Sequence, residues 1–264
     1  MLISSVDLLS KIKKSKALCA FNFSTFEVAE AIIQTAARLN TPVILQTSQG
    51  EASFLNPGIV RLIATFLSKK YGILLSLNLD HGKDLKLIKD CIAVGYSSVH
   101  IDGSNLPFEQ NVEITKKVVD LCRKKGISVE GEMGQINGEL TRLEEAVRFI
   151  EETKVDFLAV AIGEKHGLGK PELQFDLLKS LVRLIKVPLV LHGGSGISKK
   201  DLQKAVSLGV RKINFNTELR LVWTNALRKT LKEKPKEIVP YKILPVAQKA
   251  VAKVVEDKMK ICSL

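Results

Sequence analysis

Aromatic side chains are scarce in this chain, 5% of residues with a single tryptophan, and no apolar run reaches 18 residues. The second absence removes a membrane-spanning helix, which needs about 20 consecutive apolar residues. The first bears on the charge. Forty Lys and Arg against 28 Asp and Glu give a net charge of +12. Such a balance suits nucleic acid when the basic residues form a stripe interleaved with aromatics that stack on bases. Here the lysines fall on the polar faces of helical patterns, as in ITKKVVDLCRKKG and LRKTLKEKPKE. The expectation is a solvated, lysine-rich surface that attracts anionic metabolites, with neither nucleic acid nor membrane as partner. Cysteine is sparse too. Cys19, Cys91, Cys122 and Cys262 are scattered without a CxxC pair, which argues against a disulfide framework and for a reducing, cytoplasmic setting. No linker, low-complexity segment or shift of composition divides the 264 residues, so one domain over 1–264 is expected. The opening MLISSVDLLSKIKKSK is too broken by charge for a signal peptide and reads as a short amphipathic helix.

What the chain does have is alternation. Short apolar runs recur at 17–23, 42–48, 74–81, 98–104, 128–134, 157–163, 188–194 and 212–218. Most are continuously apolar, as strands covered on both faces should be. Helical periodicity fills the gaps. TFEVAEAIIQTAARLN sets Val28, Ile32, Ala36 and Leu39 on one stripe. SKKDLQKAVSLG opens on Ser198, a good N-cap, and closes on glycine. One more helix is expected at 245–260. Eight strand–helix units imply a parallel sheet, and in a chain of this length a closed (β/α)8 TIM barrel of the α/β class. The short N-terminal helix and the extra C-terminal helix frame it.

A barrel of this kind carries its chemistry at the C-terminal ends of its strands, and the polar interruptions of the runs fall there. Three of the four histidines do so: His81, His166 and His192. Three imidazoles with an open fourth position make a catalytic zinc site; singly, each would be an ordinary hydrogen-bonded loop residue. Asp80 precedes the first of them. A carboxylate there can move protons beside a metal, or orient an imidazole from behind. Asp102 and Glu132 end the fourth and fifth runs and read as partners behind the ligands, or alternatively as metal ligands themselves. His100 lies inside the fourth run and reads as structural. In the last two units, HGGSG (192–196) places Gly193, Gly194 and Ser195 before a helix, and NFNTE (214–218) offers Asn214, Asn216 and Thr217 before the next. Glycines admit close approach of backbone N–H groups to an anion, and loops after the seventh and eighth strands are the usual phosphate site.

Taken together, NLDHG, SVHIDGSNLPFEQN, SVEGEMGQ, LAVAIGEKHG, PLVLHGGSGI and KINFNTEL resemble the class II, zinc-dependent fructose- and tagatose-bisphosphate aldolases over about residues 5–262. The resemblance implies zinc on His81, His166 and His192, and Asp80 as the acid/base acting at the C4 hydroxyl. It implies a dihydroxyacetone-phosphate site of Gly167, Gly193, Ser195, Asn214, Asn216 and Thr217, with Asn22 and Ser48 holding the enediolate. It also suggests a monovalent cation (Na+ or K+) near the phosphate, and a homodimer or homotetramer. The chain departs from the pattern in three places. Asn78 stands where relatives often have histidine. The loop after the fifth strand is short where relatives carry a longer acidic lid, and Glu139 is its nearest carboxylate. Gln248 replaces a cation that meets the second phosphate, with Lys242 and Lys249 nearby. These departures leave open an aldolase for a ketose 1-phosphate lacking the C6 phosphate. A non-catalytic sugar-phosphate-binding barrel is the other alternative, against which an intact Asp80 argues.

Overall fold

The structure, a computed structural model, describes residues 1–135, 138–165, 167, 169 and 171–263. It opens with α1 (Ser5–Leu9), β1 (Leu18–Asn22), α2 (Phe26–Arg38) and β2 (Val43–Ser48). Next come α3 (Gln49–Leu55), α4 (Pro57–Tyr71), β3 (Leu75–Gly82), α5 (Leu85–Val94), β4 (Ser98–Ile101) and α6 (Phe108–Arg123). Then follow β5 (Ser128–Met133), α7 (Leu143–Thr153), β6 (Phe157–Val160), α8 (Phe175–Leu184) and β7 (Leu189–Leu191). The chain ends with α9 (Lys199–Leu208), β8 (Val210–Phe215), α10 (Thr217–Glu233) and α11 (Pro240–Cys262). The strands are parallel, each paired with its sequence neighbour, and β8 returns to β1, closing the barrel. The expected (β/α)8 architecture is the one observed.

The apolar faces of the helices cover the barrel. Ile32, Ile33 and Ala36 of α2 are fully buried against the outer face, in one core cluster with Leu45, Leu77 and Val251. The N-terminal helix does more than lead in. Ser4 caps it by accepting from the Asp7 N–H at 3.1 Å. Its Leu8 packs on Leu18, Ala20 and Ile44, and Leu9 on Phe157, Ala159 and Val190. The helix thus stoppers the N-terminal mouth, and the Ser5 N–H donates to Ser128 Oγ at 3.0 Å to seat it.

The structure departs from the pattern reading in three ways. The runs at 98–104, 157–163, 188–194 and 212–218 overshoot, because their last residues leave the ladder to line the C-terminal rim. Residues 49–55 form a separate helix, α3, which a capping box starts: Ser48 Oγ accepts from the Glu51 N–H, and Glu51 accepts from the Ser48 N–H. Asn56, at φ 71, then breaks α3 from α4. Finally, α11 begins at Pro240 and runs through Pro245, earlier than the 245 expected.

Candidate active site

Asp80 and His81 are consecutive, so in a regular strand one would face the barrel interior and the other the helices. Here both face inward. Leu79 pairs with Val99 and Gly82 with Ile101, so β3 spends one residue more than β4 over the same span. The extra residue makes a bulge, which bends a strand and re-aims its side chains. His81 takes φ 49 within it. Gly82 returns the chain to the ladder where a side chain would collide, its Cβ falling 2.8 Å from Leu79 and 3.1 Å from the His100 carbonyl.

Asp80 is held by two amides. Asn22 Nδ2 donates to Oδ2 and Asn214 Nδ2 to Oδ1, each at 3.0 Å. The Asn22 amide is itself fixed, because Gln46 Nε2 donates to its Oδ1 at 2.8 Å and Asn78 Nδ2 donates to Gln46 at 3.0 Å. Asn22 Nδ2 also reaches Glu51 Oε2 at 3.0 Å. Burial pushes the Asp80 carboxyl up, but His81 and the other imidazoles outweigh it and hold Asp80 well below the usual carboxylate range. Asp80 is therefore ionised, oriented and buried.

Beside it three imidazole rings converge. His81 and His192 lie 4.7 Å apart between ring centroids, His81 and His100 4.7 Å, and His100 and His192 4.9 Å. His81 Nδ1 is 2.9 Å from Asp102 Oδ2, and His192 Nε2 is 2.8 Å from Glu130 Oε1. Asn214 Nδ2 also lies 3.3 Å from His192 Nε2, but the shorter carboxylate contact decides the tautomer. His81 and His192 each give one N–H to a carboxylate and turn the other nitrogen to each other: His81 Nε2 and His192 Nδ1 are 2.9 Å apart. Two lone pairs at that distance repel unless a shared proton or a metal ion stands between them. A carboxylate behind each imidazole is the usual arrangement at a metal, so the residues present fit a divalent ion. Ligand atoms of Asp80, His81, His100 and His192 all lie within 4.8 Å of one another. Burial lowers the His192 ring pKa on balance, whereas Asp80 and Asp102 overcome burial and raise that of His81.

The expected residues divide as follows. His81, His192 and Asp80 come together; His166 lies outside the described residues. Asp102 sits behind His81 and also meets Lys83 at 3.2 Å. Glu132 Oε2 lies 3.5 Å from His81 Nδ1 and 3.2 Å from His100 Nε2. The turn at Gly194–Gly196 packs on the loop after β6: a Cβ at Gly193, φ 64, would stand 2.8 Å from the Lys165 carbonyl, and one at Gly196 2.8 Å from that of Gly167. Ser195 Oγ accepts from the Glu218 N–H at 3.2 Å, which joins this turn to the start of α10. Asn216 precedes α10 without capping it, and Thr217 is its first residue. Asn216 and Asn22 line a cleft of about 240 Å³ with Phe23, Glu51, Arg220 and Trp223. Ser48 is engaged as the cap of α3, and Asn214 points at Asp80. Glu139 faces solvent, its carboxylate 3.8 Å from Arg142.

Several residues of the site escape motif reading. His100 and Glu130 are buried in the cluster, and Lys212 Nζ donates to Glu130 Oε2 at 2.5 Å. Glu51 accepts from Asn22, Ser48, Ser24 and Arg220. A signal for most of them existed: polar residues at every second position of apolar strands, as in Gln46 and Ser48, Glu130 and Glu132, or Lys212 and Asn214, mark the face turned to the barrel axis.

Fold and site together define a (β/α)8 enzyme whose rim is built to hold a divalent metal beside an ionised carboxylate. The family model described as fructose-bisphosphate aldolase class-II matches residues 4–264, and the chain belongs to that family of carbon–carbon lyases. A fructose-bisphosphate aldolase of Thermus caldophilus is 34% identical, with 99% of this chain and 98% of that protein covered. The alignment spans 299 positions, more than this chain has residues, so the relative carries inserted segments. Among solved structures, the YdjI aldolase from Escherichia coli K12 superposes with a TM-score of 0.90 at 30% identity, covering 99% of this chain and 97% of that one. A putative fructose-1,6-biphosphate aldolase from Coccidioides immitis gives 0.87 at 26% identity, covering 98% and 95%.

Proposed function

We propose that the chain reversibly cleaves the C3–C4 bond of a ketose bisphosphate, fructose 1,6-bisphosphate or tagatose 1,6-bisphosphate, with zinc as its metal. The products are dihydroxyacetone phosphate and glyceraldehyde 3-phosphate. The observation that carries this reading is the 2.9 Å approach of His81 Nε2 and His192 Nδ1, with a carboxylate behind each ring and Asp80 alongside. His81, His192 and, by the resemblance, His166 would hold the zinc, which would supply Lewis-acid stabilisation of the charge that develops on the phosphate-bearing half. Asp80 takes the C4 hydroxyl proton as the C4 carbonyl forms and the electron pair of the C3–C4 bond passes to C3; C3 then takes a proton from solvent to give dihydroxyacetone phosphate while Asp80 loses its own to solvent, and condensation reverses each transfer. Asp102 and Glu132 keep the imidazoles oriented. The turn carrying Gly193 and Ser195, with Gly167, Asn216 and Thr217, receives the phosphate and fixes the remote end of the substrate; a Na+ or K+ ion, if bound there, would add charge to that site. Asn214, Asn22 and Ser48 line the path to the enediolate oxygens. The whole of 1–264 works as one barrel domain, and four buried free thiols agree with a reducing cytoplasm.

A second reading has its own support. Gln248 Nε2 donates to Glu30 Oε2 at 3.1 Å, so this side chain is spent within its own chain and brings no cation to a C6 phosphate. On that reading the substrate is a ketose 1-phosphate. One assay series addresses both: zinc-loaded protein against ketose 1-phosphates and 1,6-bisphosphates, with and without chelator. Chelator-sensitive cleavage releasing dihydroxyacetone phosphate is expected. No cleavage of any member, or turnover indifferent to the chelator, would sink the zinc aldolase, and the ratio of kcat/KM between the two classes chooses the substrate.

A further inference from the structure

The β3 bulge is what lets a carboxylate and an imidazole from adjacent positions share one site, so whatever holds the bulge holds the site. Opposite Asp80 and His81 stands His100 of β4, fully buried. The His81 N–H donates to His100 Nδ1 at 3.1 Å, so a side chain takes the place of a carbonyl in the ladder. Nδ1 accepts only while it carries no proton, which puts the ring proton on Nε2, 3.2 Å from Glu132 Oε2. Burial would lower the His100 pKa, but Glu130, Asp80 and Glu132 outweigh it and raise it to about 10, so a bound cation is what favours this singly protonated ring. The ring packs on both His81 and His192. Among the described residues, Asn40, Asn56, His81 and Lys154 are the non-glycines with positive φ. Asn40, Asn56 and Lys154 follow helix ends, where that conformation is common; His81 holds it inside a strand, where it needs support.

We propose that His100 is a positioning residue for His81: through Nδ1 it fixes the backbone of the bulge, and so aims the His81 ring, without itself binding the metal. The aiming part rests on the reading of His81 as a metal ligand; the backbone part does not. Asn and Gln substitutions separate the two nitrogens of the ring, since an Asn Oδ1 falls where Nδ1 was and a Gln side chain reaches towards Nε2. With zinc at saturation, amide exchange at His81 is expected to stay slow in wild type and in His100→Asn. It should quicken on the order of tenfold or more in His100→Gln and His100→Leu. Zinc affinity, measured by chelator competition, should fall roughly ten- to hundredfold in the Gln and Leu variants, the range for partners behind a ligand, and recover in the Asn variant. The visible spectrum of the cobalt-substituted Asn variant should match that of wild type. Equal exchange at His81 in all four proteins would overturn the proposal, and so would a cobalt spectrum altered in the Asn variant, which would make His100 a ligand. If the Leu variant does not fold, the Asn and Gln pair carries the same comparison. Wild-type protein that fails to bind zinc would refute the metal reading and leave the exchange result to judge the bulge.

Discussion

Asp80 is a carboxylate gripped from two sides by amides whose own orientations are fixed. Asn78 sets Gln46, Gln46 sets Asn22, and Asn22 and Asn214 each place an N–H on one Asp80 oxygen. Such an array has little freedom to reorganise, which is what a proton acceptor needs if it is to meet one hydroxyl in one geometry. Asp80→Asn puts an amide nitrogen against a neighbouring amide nitrogen and removes the basic oxygen. Turnover should fall roughly 10²- to 10⁴-fold, the range for a general acid–base group, while zinc content by elemental analysis stays at the wild-type level. Zinc lost in step with turnover would instead make Asp80 a structural partner of His81. The same crowding explains a residue motif reading passed over. Glu130 joins His192 to the buried Lys212, so an ammonium deep in the barrel is neutralised by the group that orients a candidate ligand.

At the scale of elements, the two mouths of the barrel do different work. The C-terminal rim is shaped by short strands that stop early, by the β3 bulge and by the glycine turn after β7. The N-terminal mouth is closed by α1, whose Leu8 is fully buried on Leu18, Ala20 and Ile44. Leu8→Ala should destabilise the protein by about 2–5 kcal/mol, as buried leucines do when cut to alanine, read from the denaturant midpoint. kcat per folded molecule should not change, since the cavity opens at the end away from the site. A fall in kcat without a fall in stability would show that α1 communicates with the rim. Thr141 Oγ1 donates to the Met133 carbonyl and accepts from the Ala161 N–H, pinning the start of α7 to the ends of β5 and β6.

For the molecule as a whole, the exposed apolar residues are not evenly spread. Ile59, Leu62 and Phe66 recur at helical spacing along α4 with 48%, 66% and 54% of their surface exposed, and Phe54 of α3 is 78% exposed. Phe26 meets Phe66 at 6.4 Å between ring centroids, which extends the face to α2. If the protein is a homo-oligomer, as we propose, this patch is the candidate contact. Leu62→Glu combined with Phe66→Glu should shift the mass found by sedimentation equilibrium towards that of the 29.1 kDa monomer. A mass unchanged by both charges would place the contact elsewhere. Among the described residues no helix is long and apolar enough to cross a membrane, as the lack of long apolar runs leads one to expect.

The alternation of apolar runs and helical stripes specified a closed barrel, because strands buried on both faces and amphipathic helices have few other ways to cover one another. Strand-end polarity likewise marked Asp80, His81, His192 and the glycine turn, since rim positions lie in predictable places along each unit. What sequence could not decide is where register breaks. Nothing in NLDHG says that β3 gains a residue on β4, yet that bulge turns Asp80 and His81 to the same side and brings His100, which reads as structural in the sequence, under the His81 backbone. Nor could it pair Glu130 with Lys212, or thread Asn78, Gln46 and Asn22 into one chain of amides. Those contacts join strands separated by tens of residues and depend on closure and register together. Local pattern follows from the periodicity of the chain; the geometry of the site follows from which strands closure makes neighbours.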